Sequence, residues 1–97
     1  MDFTNEVLGA KLSLPDRPTV RQQLRYQGEI GARMGGELYI RLWAGAKTII
    51  TGWECAHVTL DADLDEISDP TAARCLMWAG LQVYSFIDAL EDLPKNS

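Results

Sequence analysis

The sequence predicts an all-α fold, a small bundle of three main helices with an extended N-terminal arm. Two observations carry this expectation. Residues 36–55 and 70–92 each place apolar side chains at 3.6-residue spacing. Two proline-bearing segments, Asp16-Arg17-Pro18-Thr19 and Ser68-Asp69-Pro70-Thr71, have the form of helix starts. The 97 residues allow one domain, divided into an arm at 1–15, a helical domain at 16–93 and a polar tail at 94–97.

In the arm, Gly9 interrupts and Pro15 and Pro18 close the segment. No helical stripe runs through it, and Lys11-Leu12-Ser13-Leu14 is the one candidate for a short strand. The first helix is expected at 18–33. Its cap is Asp16, with proline tolerated in the first turn, or Thr19 with Gln22 at capping-box spacing. Its apolar face is narrow, with Val20, Leu24 and Gly31, and Gln27 between them. Arg21 and Arg25 share another face beside Glu29. The second helix is expected at 36–55, from the stripe Leu38, Leu42, Ile49 and Trp53 with Ala46 and Ile50 beside it. Glu37 and Arg41 stand at i,i+4 in the favourable order. Residues 56–69 read as a linker in which Leu60, Leu64 and Ile67 make one helical turn against the core. The third helix is expected at 70–92, capped by Ser68 or Asp69, with Ala72, Cys75, Leu76, Ala79, Val83, Phe86, Ile87 and Leu90 as its stripe.

Nine Lys+Arg against fourteen Asp+Glu give a net charge of −5. The charge is unevenly placed. Residues 1–53 carry seven basic and five acidic side chains, net +2, and residues 54–97 carry two basic and nine acidic, net −7. Five of those nine lie between Asp61 and Asp69. Net acidity argues against binding to nucleic acid or to an anionic membrane. No run reaches ~18 consecutive apolar residues, so no membrane span is expected. The first residues lack a basic and apolar leader, so no secretory signal is expected. Cys55 and Cys75 are then expected as two free thiols.

The residues offer little chemistry. Asp61, Asp63 and Asp65 alternate as in a calcium loop, but Glu66 stands where the turn needs glycine and Ala72 where calcium needs a bidentate Glu. Cys55, His57 and Cys75 fall short of a zinc set of four. A Cys–His nucleophile would need a third, orienting group. Neither a phosphate loop nor a dinucleotide fingerprint is present. A catalytic role, a metal and a cofactor are not expected. For helix-turn-helix DNA reading, the third helix carries only Arg74. The first helix, with Arg17, Arg21 and Arg25 and the glutamines Gln22 and Gln23, is the only face suited to nucleic acid.

Trp78 breaks the pattern. On a helical wheel it falls among Thr71, Arg74, Gln82 and Ser85, in the polar arc. It is exposed, or covered by the N-terminal arm, or buried against a partner, where tryptophans concentrate binding energy. Trp43 falls at the edge of its stripe. Tyr39, Trp43 and Trp78 with Arg74 are therefore candidate interface residues. Arg21 and Arg25, and the acidic Asp61, Asp63, Asp65 and Glu66, are the charged candidates.

The runs Pro18-Thr19-Val20-Arg21-Gln22-Gln23-Leu24-Arg25-Tyr26, Arg41-Leu42-Trp43-Ala44-Gly45-Ala46-Lys47 and Trp53-Glu54-Cys55, with the closing Glu91-Asp92-Leu93-Pro94-Lys95-Asn96-Ser97, resemble small tail assembly chaperones of tailed bacteriophages. The resemblance implies a small, acidic, largely helical protein without catalytic residues. It implies binding to the tape measure protein or tail tube subunits during assembly, in the cytoplasm of the bacterial host cell. Many such proteins also have a longer, frameshifted form. Self-association is left open. The alternative is a small acidic inhibitor or adaptor that blocks a basic nucleic-acid-binding protein with its carboxylates.

Overall fold

Residues 1–15 fold as a β-hairpin, not as an extended arm. Strand β1, Asp2–Asn5, pairs antiparallel with β2, Ala10–Ser13, placing Phe3 opposite Leu12 and Asn5 opposite Ala10. The connection turns at Gly9, whose φ of 64° lies in the left-handed region that suits glycine. In β2, Ala10 and Leu12 are buried while Lys11 is exposed, the two-residue alternation of a half-buried strand. Four-residue strands are too short for that alternation to stand out beside a helical stripe.

The computed structural model describes residues 1–32 and 37–91. It corrects the all-α expectation to a mixed α/β fold, with three helices and a three-stranded antiparallel sheet in the order β1-β2-β3. The third strand comes from the stretch expected to end the second helix. Helix α2 spans Leu38–Ile49 and β3 spans Gly52–Cys55. Ile50 leaves the helix with φ −60° and ψ 126°, its N–H closing the last helical bond to the Ala46 carbonyl. The Thr51 N–H then donates to the Ser13 carbonyl at 2.9 Å, and β3 continues the ladder with Trp53 opposite Leu12 and Cys55 opposite Ala10. β-branched Ile50 and Thr51 followed by Gly52 favour this exit. Trp53 reaches the apolar side of the sheet from a strand, not from a helical stripe.

Helix α1, Val20–Ala32, starts with the reciprocal capping box of Thr19. The Thr19 N–H donates to Gln22 Oε1 at 2.7 Å and the Gln22 N–H donates to Thr19 Oγ1 at 3.1 Å. Its inward face differs from the expected one. Val20 and Leu24 are 71% and 67% exposed, while Tyr26 is buried and Ile30 packs on the core. The cause lies in α2. A Cβ at Gly45 would stand 2.9 Å from Tyr26 Cε2, so the missing side chain is the seat of the Tyr26 ring. Gly80 plays the same part for α3, Pro70–Glu91, where a Cβ would meet Leu42 at 2.9 Å. Asp69 caps α3, accepting from the Thr71 N–H at 2.9 Å.

Helix α2 is central, packed on α1 and on α3. The main core joins Leu12 and Leu14, Tyr26, Trp43, Ala46 and Ile49, and Ala79, Val83, Phe86 and Ile87. Phe3 meets Phe86 edge-on at 6.4 Å and Trp43 meets Trp53 at 5.4 Å. A smaller core holds Ala10, Val58, Ala72 and Cys75. Residues 56–69 form turns instead of a helical turn, yet Leu60 and Leu64 pack on the main core and Ile67 on the smaller one. The expected end of the first helix at Arg33, the glycines Gly35 and Gly36, and the polar tail at 94–97 lie outside the described residues.

Candidate functional site: an apolar groove with an acidic rim

A groove of about 280 Å³ runs between α2, α3 and the turns that precede α3. Trp43 forms its floor at 2% exposure. Tyr39 and Ile40 stand on the α2 side, Ala73, Leu76 and Met77 on the α3 side, and Leu64 and Ile67 close it from the turns. Tyr39 is 40% exposed, so its ring is a half-open lip.

The rim is acidic. Glu37 and Asp69 line the groove, and Asp61, Asp63, Asp65 and Glu66 are exposed in the adjoining turns. Local bonds shape those turns. Thr59 Oγ1 donates to Asp61 Oδ1 at 2.8 Å, and the Asp65 N–H donates to Asp63 Oδ1 at 3.0 Å. Asp69 also meets His57 Nδ1 at 3.0 Å. The Thr71 N–H first, and the His57 ring second, hold the Asp69 carboxyl below its ordinary value of 3.8. Among the described residues, no basic group lies within ion-pair distance of Asp61, Asp63, Asp65 or Glu66.

The structure brings Tyr39 and Trp43 to one groove beside the acidic segment. It does not bring Arg21, Arg25 or Arg74 there. All three are exposed, and none pairs with the acidic segment. Trp43, read from the wheel as a stripe-edge contact residue, is buried in the core and lines the groove from beneath. Trp78 is half-buried and packs on both cores of its own chain. Of the other lining residues, Ile40, Ala73 and Met77 had no expected role, and Glu37, Leu64, Ile67, Asp69, Ala72 and Leu76 were expected only as helix-surface, core or cap residues. The one available signal was the unbroken apolar run Leu38-Tyr39-Ile40, too wide for a single stripe.

A second apolar groove of about 400 Å³ lies between Ile30, Leu38, Arg41, Leu42, Leu81 and Tyr84. Its lining carries no carboxylate. Around Cys55 the chemistry of a nucleophile is incomplete. The His57 ring bonds to Asp69, and Cys55 Sγ receives the His57 backbone N–H at 3.4 Å, not a ring nitrogen. Among the described residues, no three His, Cys, Asp or Glu side chains converge as a metal site. No described helix is long and apolar enough to cross a membrane.

Comparison with protein-family models, with curated proteins and with solved structures gives no match.

Proposed function

We propose that this chain is a non-enzymatic binding protein of the tail assembly chaperone kind. It receives an amphipathic helix of a client in the groove between α2 and α3. The observation that carries the reading is the pairing of an apolar groove with an adjoining acidic segment, Asp61, Asp63, Asp65 and Glu66, that has no basic group within ion-pair distance among the described residues. Apolar anchors of the client helix fill the space over Trp43, Leu76 and Met77, and its basic flank faces Asp61, Asp63, Asp65 and Glu66. The client is a protein, because these carboxylates repel phosphate backbones. The resemblance of residues 18–26, 41–47 and 53–55 to tail assembly chaperones supports the tape measure protein or tail tube subunits as the client. That places the work in the bacterial host cytoplasm.

The test is co-expression with the tape measure protein of the same genome, read by size-exclusion chromatography. A stable co-eluting complex is expected. Ala73→Arg, at an exposed groove position on α3, should weaken it at least about tenfold, a change of about 1.4 kcal/mol. Helix content by circular dichroism should stay unchanged. Equal affinity in the variant would remove the groove from the reading. The exposed acidic segment also supports the alternative of an acidic inhibitor or adaptor. In that case binding would survive Ala73→Arg and be lost on neutralising Asp61, Asp63 and Asp65.

A further inference from the structure

We infer that Cys55 and Cys75 form a reversible dithiol–disulfide pair that ties β3 to α3. This inference stands independently of the client reading. Both cysteines are free thiols, yet their Sγ atoms lie 3.5 Å apart across 20 residues of sequence. A disulfide is about 2.05 Å long, so the sulfurs are one side-chain adjustment from bonding. Cys55 ends the outer strand β3 and is half-buried. Cys75 is fully buried on α3, its thiol directed to the Leu8 carbonyl at 3.8 Å.

This asymmetry sets the order of events. Burial first, then the neighbouring Cys55 thiol, push the Cys75 thiol up to about 12, so Cys75 keeps its proton. Cys55 is the accessible sulfur and reacts first. Its thiolate attacks one sulfur of a low-molecular-weight disulfide such as oxidised glutathione. A Cys55–glutathione bond forms, and one glutathione thiolate leaves and takes up a proton. Cys75 then gives up its proton and attacks Cys55 Sγ. The Cys55–Cys75 bond forms, and the second glutathione thiolate leaves and is protonated. Two protein thiols are oxidised, and one external disulfide is reduced to two thiols. The second step is the slow one, because its nucleophile is buried and protonated.

The closed loop, residues 55–75, contains Leu64, Ile67 and Asp69 of the groove wall and the carboxylates of the rim. Oxidation would therefore pin that wall between the sheet and α3.

The test uses the full reduced chain in glutathione redox buffers. Samples are acid-quenched, unfolded, treated with maleimide and weighed as intact protein. At the end of the reaction neither thiol should remain, leaving a chain lighter by two hydrogens and a proteolytic fragment that links Cys55 to Cys75. A glutathione adduct on Cys55 should precede it, and dithiothreitol should reverse both. Cys75→Ser should stop at the adduct. A wild-type adduct that persists, a bond between two chains, or two maleimide-reactive thiols after oxidation would overturn the inference.

Discussion

Trp78 and Asp69 show how a single side chain acquires its role from its surroundings. Trp78 lies in a polar arc of α3 whose Arg74 and Ser85 stay exposed, but its own side chain packs on both cores, because the sheet and the turns fold over the first half of the helix. Trp78→Ala should therefore lower stability by about 3 kcal/mol in urea unfolding. An unchanged midpoint would return Trp78 to the surface. Asp69 joins three parts of the molecule, as cap of α3, partner of His57 and rim of the groove. Its carboxyl is held below the ordinary 3.8. Its contribution is therefore in place above that value and is lost as the pH falls through the lower folded one. Thermal melts should show a drop in this acid range, and Asp69→Ala should start from a lower melting temperature with a shallower drop.

Among the elements, the glycines of the helices separate into two kinds. Gly45 and Gly80 have neighbours at 2.9 Å from where a Cβ would stand, whereas Gly28 has open space. Gly80→Ala should cost about 1–3 kcal/mol through displacement of Leu42, in spite of the better helix propensity of alanine. Gly28→Ala should stabilise by about 0.5–1 kcal/mol. Urea midpoints of the two variants should move in opposite directions. If both rise, α2 and α3 do not depend on the close approach at Gly80.

At the scale of the whole molecule, no ion pair among the described residues joins the arginines of α1 to the acidic segment before α3. The arginines of α1 and the carboxylates of the turns before α3 remain separate surfaces among the described residues. On the proposed reading, a basic client would be steered to the acidic rim over distances up to about 8 Å at physiological salt. Replacing Asp61, Asp63 and Asp65 by Asn keeps the turn-forming acceptor oxygens and removes three charges. Stopped-flow association with the client should slow several-fold and lose most of its salt dependence, with dissociation little changed. A salt dependence equal to that of the native chain would place the client elsewhere.

The sequence by itself determined α3 almost to the residue, the Thr19–Gln22 capping box as one of two possible starts for α1, and all twelve residues of α2 but not its end. These rest on local causes, namely caps, proline at a first turn and a 3.6-residue stripe. The hairpin, β3 and the inward face of α1 were decided only by tertiary structure. A four-residue strand has no stability alone and forms because its backbone groups find a neighbouring strand, as Trp53 is set opposite Leu12. The inward face of α1 follows from the hollow at Gly45 on another helix, which outweighs its own Val20–Leu24 stripe. The candidate groove was half legible for the same reason. Its acidic rim and Tyr39 stand in the sequence, but Ala73 and Met77 join it only when α3 is set against α2 and the turns between β3 and α3 close over both.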